Sequence, residues 1–108
     1  MSAYRKGLRV KAAEHLALAR EFYDRYQSRI TAGLATYGEF NAATDKRVLS
    51  QEAQEEALDI GSYLEMLECK HPDLASKINK IRAKTILLYG QLRALEEAEL
   101  TLAREGDA

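Results

Sequence analysis

The sequence predicts an all-α fold built from three long helices. Residues that favour helices, chiefly Ala, Leu, Glu, Lys and Arg, dominate the chain, and it contains one proline. Apolar residues recur at intervals of three and four over long stretches, which is the spacing of one helix face. With 108 residues, 46% of them apolar and 31% charged, we expect residues 1–108 to form a single all-α domain.

The first predicted helix runs from about Tyr4 to about Ala32. Gly33 and then Gly38 interrupt its period, and the small and polar residues of segment 36–45 predict an ordered loop. Seven positions of the helix form a stripe that we expect to face a core. The stripe consists of Leu8, Ala12, Leu16, Ala19, Tyr23, Tyr26 and Ile30.

The second predicted helix runs from about Lys46 to Cys69. Thr44 or Asp45 is the expected N-terminal cap, and the pair His71-Pro72 ends the helix. Its apolar positions again form one stripe, which we expect to face the core. That stripe consists of Leu49, Ala53, Ala57, Ile60, Leu64 and Leu67.

The third predicted helix is capped by Asp73 and extends to about Arg104, a length of roughly 45 Å at 1.5 Å per residue. Its apolar stripe has near-heptad spacing, which is typical of a core or of a dimer seam. The stripe consists of Leu74, Ile78, Ile81, Thr85, Leu88, Leu92, Leu95 and Leu102. Because the helix is long, we expect long antiparallel helices that dimerise into a four-helix or larger bundle, with a seam at Leu88, Leu92 and Leu95.

Four carboxylates lie close together on the second helix. At about 100° per residue, they fall within an arc of roughly 100° beside the apolar stripe. We call them the acidic row: Glu52, Glu55, Glu56 and Asp59. Like charges at these spacings repel, and a divalent cation with oxygen ligands, such as Mg²⁺, would compensate them. The row is interpreted either as a Mg²⁺ site for nucleotide phosphates or as a solvated face balanced by Lys or Arg of a neighbouring helix.

A set of residues between Arg29 and Leu67 matches a known pattern. It comprises Gly33-Leu34, Thr36-Tyr37-Gly38, Asn41, Asp45, Arg47, Glu55-Glu56-Ala57-Leu58-Asp59 and Tyr63-Leu64. This segment, about a third of the chain, resembles the MazG-like branch of the all-α nucleoside triphosphate pyrophosphohydrolases, particularly small phage-type members. The resemblance implies a MazG-like bundle that hydrolyses nucleoside triphosphates to monophosphate and pyrophosphate in a phage or mobile-element nucleotide pool. It also implies that Glu55, Glu56 and Asp59 are catalytic and bind Mg²⁺, with Mn²⁺ as a possible substitute and Glu52 as a further ligand.

One part of the family pattern is missing. The family has a Glu-x-x-Glu motif on an upstream helix, whereas Glu14 and Glu21 lie nearly opposite the stripe of the first helix. Glu52-Ala-Gln-Glu55 has the spacing, but on the same helix as Asp59. Three explanations are open: another subunit completes the site, metal binding is weakened, or the chemistry is lost. The alternative function is therefore a non-enzymatic helical dimerisation or protein-interaction module.

The third helix carries a cationic cluster in its first half, with Lys77, Lys80, Arg82 and Lys84. The lysines could bind substrate phosphates as point charges, or they could neutralise the acidic row. The sequence allows both arrangements.

Three uncharged side chains are further candidates for substrate binding. Tyr37 could stack on a base, and Asn41 could recognise a base edge or form a turn. Tyr63 lies one turn beyond Asp59, so its hydroxyl could reach a carboxylate or a bound water.

Composition excludes several other functions. The net charge of −1 gives no general attraction to nucleic acid or to anionic membranes. No apolar run approaches the roughly 20 residues that cross a bilayer, and no signal-peptide core follows the N-terminus, so we expect a cytoplasmic protein. The lone Cys69 fits a reducing compartment and is interpreted as a packing residue, and His15 as a hydrogen-bonded structural histidine. The chain has no P-loop and no dinucleotide fingerprint.

Overall fold

A computed structural model of the chain describes residues 2–106. The helices are α1 (Ala3–Tyr37), α2 (Leu49–Lys70) and α3 (Ala75–Gly106), and a 3₁₀ turn, Pro72–Leu74, precedes α3. No strand occurs within the described residues, which confirms the predicted all-α class. No helix among them is both long enough and apolar enough to cross a membrane.

The chain divides into two compact units, Met1–Asp45 with α1 and Lys46–Ala108 with α2 and α3. Each unit is described by itself below. The prediction of one domain covers residues 1–108, and some of these lie outside the described residues. It therefore stays a prediction.

α1 is a helix of 35 residues that ends at Tyr37, later than predicted. Ser2 caps its first turn through the side-chain hydroxyl. Gly33 does not interrupt it, because one glycine inside a helix costs only about 1 kcal/mol relative to alanine. Gly38 ends it with φ 79° and ψ −175°, a conformation that is nearly restricted to glycine, and its N–H donates to the Leu34 carbonyl at 3.0 Å.

The segment after α1 contains a turn built on Asn41. Its side-chain oxygen accepts from the N–H two residues on at 3.0 Å, and its carbonyl accepts from the N–H of Asp45 at 3.0 Å. Turn formation, one of the two roles considered for Asn41, is therefore present. The predicted start of α2 at about Lys46, with Thr44 or Asp45 as its cap, is wrong, because α2 begins at Leu49 after Val48.

α2 and α3 pack against each other as an antiparallel hairpin. α2 ends at the predicted place, where the N–H of His71 donates to the Leu67 carbonyl at 2.8 Å and Pro72 follows. Asp73 is not the N-cap that we expected, because it lies inside the 3₁₀ turn Pro72–Leu74.

The contact surface between α2 and α3 differs from the predicted core stripes. Ala57, Leu64 and Ile78 are buried as predicted, but Ser50 and Gln54 are buried beside them. We call this α2–α3 contact surface the seam. It is rotated by roughly 60–100° from the most apolar faces of the two helices. Seven apolar positions of the predicted stripes are instead exposed: Leu49, Ile60, Leu67, Ile81, Leu88, Leu95 and Leu102.

The predictions for the first helix are also corrected. α1 buries no residue; six positions of its expected core stripe are exposed, and Ala19 is half-buried. Three aromatic rings on α1, those of Phe22, Tyr23 and Tyr26, contact one another with centroids 5.4 to 6.3 Å apart. His15 is exposed, and so is Cys69, which is therefore not a packing residue in the hairpin.

Candidate functional site

The acidic row lies on α2, and all four carboxylates are exposed. Relative to Ala57, which faces α3, the four positions lie about 100–160° around the helix. The row therefore points away from α3 and does not adjoin the buried seam, contrary to the prediction. It adjoins three exposed apolar positions of α2 instead, namely Leu49, Ile60 and Leu67.

Within residues 2–106, no side chain of the acidic row forms an ion pair or a hydrogen bond. Lys77, Lys80 and Lys84 are exposed on α3 and do not pair with the row. The hairpin register explains this, because Ser50 contacts Glu99 and Glu68 contacts Arg82. The lysines thus lie near the connecting turn, whereas the row lies nearer the open end. In this chain the lysines do not neutralise the row.

The uncharged candidates lie in both units. Tyr63 is exposed on α2, and its hydroxyl makes no hydrogen bond to Asp59. Tyr37 is the last residue of α1 and is 88% exposed. Asn41 forms the turn that follows α1. Tyr37 and Asn41 belong to the unit Met1–Asp45, and the acidic row belongs to the other unit.

The acidic row does not by itself form a metal site. Among residues 2–106, no three side chains of Asp, Glu, His or Cys form a group that could hold a metal ion. Mg²⁺ requires octahedral oxygen coordination at short distances. The acidic row alone therefore does not complete a Mg²⁺ site, and oxygen ligands from outside the row would be needed.

A second polar cluster joins α2 to α3 at the open end of the hairpin. Glu99 accepts hydrogen bonds from the N–H groups of Leu49 and Ser50 at 3.0 and 3.1 Å, and from the Ser50 hydroxyl. Val48, the residue before α2, makes no side-chain cap, so Glu99 provides the acceptor that the helix start needs. The Ser50 hydroxyl first, and then the backbone donors, hold the pKa of Glu99 below its ordinary value.

Glu96 lies one turn earlier on α3 and belongs to the same cluster. It accepts hydrogen bonds from the side-chain amides of Gln54, at 2.9 Å, and of Gln51. These two bonds, with that from Gln54 as the larger influence, lower the pKa of Glu96. The amide of buried Gln54 also reaches the carbonyl of Leu92 at 3.5 Å.

The sequence analysis did not identify Glu96, Glu99 and their partners. No local motif marks them, because each partner lies more than 40 residues away along the chain. Only the register of the hairpin brings them together. At the other end of the hairpin, Arg82 and Glu68 form an ion pair at 2.7 Å. Arg82 therefore has an acidic partner on α2, whereas the neighbouring lysines do not pair with the acidic row.

The chain matches no protein-family model, no curated protein and no solved structure. The resemblance to MazG-like enzymes therefore depends on the motif residues alone, and the MazG-like bundle stays a prediction.

Proposed function

We propose that the chain is a subunit of a Mg²⁺-dependent nucleoside triphosphate pyrophosphohydrolase, which converts ribo- or deoxynucleoside triphosphates to monophosphates and pyrophosphate. The supporting observation is the acidic row, whose four carboxylates are exposed without a cationic partner among residues 2–106. Each like-charged pair at i,i+3 or i,i+4 costs about 0.2–0.5 kcal/mol. A binding role for a divalent cation explains why the row tolerates this repulsion.

The proposal requires more than one copy of the chain. No three side chains of Asp, Glu, His or Cys form a metal-binding group within residues 2–106, and we assign the further oxygen ligands to a second copy, in a homodimer or a higher homo-oligomer. The row lies at the edge of the exposed apolar positions of α2, and a copy that covers these positions would approach the carboxylates. The missing upstream Glu-x-x-Glu motif is consistent with this arrangement.

Within the proposal, Glu55, Glu56 and Asp59 are the metal-binding and catalytic carboxylates, and Glu52 supports them. Three lysines, Lys77, Lys80 and Lys84, bind substrate phosphates. They are suited to this role because they are exposed and do not pair with the acidic row. Tyr37, Asn41 and Tyr63 are the candidates for contacts with the base and sugar. The expected substrate is the cytoplasmic nucleotide pool.

The test is pyrophosphate release from a panel of ribo- and deoxynucleoside triphosphates, with and without Mg²⁺. Glu56→Gln removes one charge of the row, and Glu65→Gln is its matched control because Glu65 is an exposed acid of α2 outside the row. We expect Mg²⁺-dependent release by the parent and by Glu65→Gln, and loss of release in Glu56→Gln. A folded parent protein that releases no pyrophosphate from any nucleotide would contradict the proposal.

A non-enzymatic interaction module is the second candidate function. It is favoured by the exposure of seven apolar positions of the predicted stripes of α2 and α3. A folded, oligomeric parent that is inactive with every nucleotide would support this function instead. Loss of oligomers in Glu56→Gln would also favour it, because the row would then serve assembly rather than hydrolysis.

A further inference from the structure

The two halves of the α2–α3 hairpin are held together by different kinds of contact. From Ala57 to the connecting turn, the seam buries the apolar side chains of Ala57, Leu64 and Ile78. Nearer the open end, the fully buried side chains among residues 2–106 are those of Ser50 and Gln54, which are polar. Apolar packing therefore dominates in the turn half of the hairpin, and hydrogen bonds dominate in the open half.

Two carboxylates of α3 accept the hydrogen bonds of the open half. Within the described residues, five hydrogen bonds from α2 end on the side chains of Glu96 and Glu99. We call this set of contacts the polar clasp. Its donors are the N–H groups of Leu49 and Ser50, the Ser50 hydroxyl, and the side-chain amides of Gln51 and Gln54. Both glutamates are only half-buried, so water reaches the carboxylates and competes for these bonds.

The polar clasp and the acidic row share the first two turns of α2. Glu52 and Glu55 of the row each directly follow a glutamine whose side chain donates to Glu96. Val48 provides no side-chain cap, so the first two N–H groups of α2 have their acceptor on Glu99. If these bonds break, the helix start loses its cap, and Glu52 and Glu55 lose their fixed spacing to the rest of the row.

We propose that the polar clasp opens as a unit of its own, and that Glu96 and Glu99 position Glu52 and Glu55 by keeping it closed. Regions that bury little apolar surface open at a lower free-energy cost than the core of the same protein. The open half of the hairpin meets this condition, and the turn half does not. Glu96 and Glu99 act through the backbone of α2, so they are positioning residues for the acidic row.

Closure of the clasp is coupled to the binding of a cation across the acidic row. Carboxylates from successive turns can share one cation only while they keep their helical spacing, so the cation binds the closed form more tightly. By linkage, the same cation keeps the clasp closed. This coupling rests on the proposed function, whereas the clasp itself rests on the hydrogen bonds between α2 and α3.

Hydrogen–deuterium exchange of the full chain in metal-free buffer tests the clasp. The variant is Glu99→Leu, and the matched control is Glu97→Leu, because Glu97 is an exposed acid of the same turn and both substitutions keep the helix propensity. We expect Glu99→Leu to accelerate exchange of the backbone amides of residues 52–56 about tenfold, and that of residues 64–68 by less than about twofold. Glu97→Leu should leave both segments at the rates of the parent.

A milder variant keeps the test decisive if Glu99→Leu does not fold. Glu99→Gln retains one acceptor oxygen, so it should accelerate exchange in the same segment, 52–56, by a smaller factor. Equal acceleration of both segments would overturn the proposal, since the hairpin would then open as one unit. Unchanged exchange of residues 52–56 would overturn it as well, because the start of α2 would then not depend on Glu99.

Exchange in the presence of Mg²⁺ separates the clasp from the proposed hydrolysis. In a parent that releases pyrophosphate, Mg²⁺ at one hundred times its dissociation constant should slow exchange of residues 52–56 about one hundredfold. Mg²⁺-dependent release without this slowing would overturn the positioning of the row by the clasp. A parent that neither binds Mg²⁺ nor releases pyrophosphate contradicts the proposed function, and the exchange pattern of the metal-free variants then decides the clasp by itself.

Discussion

Glu99 of α3 accepts two hydrogen bonds from Ser50 of α2, one from its backbone N–H at 3.1 Å and one from its hydroxyl. The first N–H groups of a helix have no partner within the helix, and here the partner lies 49 residues downstream. The start of α2, which leads into the acidic row, is therefore fixed only when α3 has packed against it. Folding of the hairpin and positioning of Glu52 are coupled through Glu99.

This coupling predicts an acid-sensitive hairpin. The ordinary pKa of the Glu99 carboxyl is near 4.5, and hydrogen bonds from Ser50 lower it in the folded protein. The unfolded chain then binds the proton more readily, so the stabilisation is fully present above about pH 4.5 and is lost as pH falls through the lowered pKa. We expect Glu99→Gln to be less stable than the parent at pH 7 and to lose less stability on acidification, measured by denaturant unfolding from pH 7 to pH 3.

Glu97→Gln is the control for this prediction, because Glu97 is an exposed acid of the same turn whose carboxylate has no partner among residues 2–106. It should follow the parent at every pH. Glu96→Gln should behave like Glu99→Gln, since donors on Gln54 and Gln51 lower the pKa of Glu96 in the same direction. Equal pH slopes for the parent and Glu99→Gln would contradict the assignment.

The small seam makes Ile78 the dominant apolar contact between α2 and α3. It is 2% exposed, and truncation of a buried isoleucine costs about 2–5 kcal/mol. We expect Ile78→Ala to lower the free energy of unfolding by this amount. Ile86→Ala, at an exposed position two turns later on the same helix, should change it by no more than about 0.5 kcal/mol in a sample kept dilute enough to be one species. Similar losses in both variants would mean that the seam is placed wrongly.

The sequence predicts the fold class well and the helix faces poorly, for a physical reason. Helix existence depends on local propensity, and the turn at His71-Pro72 is marked by a residue that cannot continue a helix. The choice of face was wrong because the apolar pattern favours Ile60 and Leu67, whereas the seam includes Ser50 and Gln54. Those two polar residues are acceptable at the seam only because acceptors on α3 face them.

In the candidate site, too, the local features could be predicted from the sequence and the long-range features could not. The acidic row could be predicted because its residues are neighbours on one helix, and the structure keeps them on one exposed side of α2. Whether cations face the row depends on the register, which local sequence does not contain. The register pairs Arg82 with Glu68 and leaves the lysines away from the row.

The ion pair between Arg82 and Glu68 is expected to make a modest contribution. Both side chains are about one-third exposed, at 32% and 35%, so water screens the pair. A double-mutant cycle with Arg82→Met, Glu68→Gln and the double variant should give a coupling energy of about 0.2–1 kcal/mol. The coupling should fall in high salt. A coupling well above 1 kcal/mol, or one that does not fall in high salt, would contradict the description of a water-screened pair.

Asp59 offers the sharpest test of cation binding by the acidic row. A cation that binds only the folded protein raises the melting temperature, by an amount equivalent to about 2.7 kcal/mol at one hundred times the dissociation constant. Asp59→Asn keeps the size of the side chain and removes one charge. We expect it to abolish both the Mg²⁺-induced shift and pyrophosphate release. In metal-free buffer it should be slightly more stable than the parent, by a few tenths of a kcal/mol, because repulsion from Glu55 and Glu56 is relieved.

The row accounts for this behaviour only if the effect is specific to Mg²⁺ and to its own residues. NaCl of equal ionic strength screens the repulsion within the row without occupying a site, so it should not reproduce the shift at low millimolar metal. Glu65→Gln removes an acid of the same helix outside the row and should keep both the shift and the turnover. If Asp59→Asn retains them as fully as Glu65→Gln does, then Asp59 is not a ligand, and repulsion within the row is simply tolerated at an exposed surface.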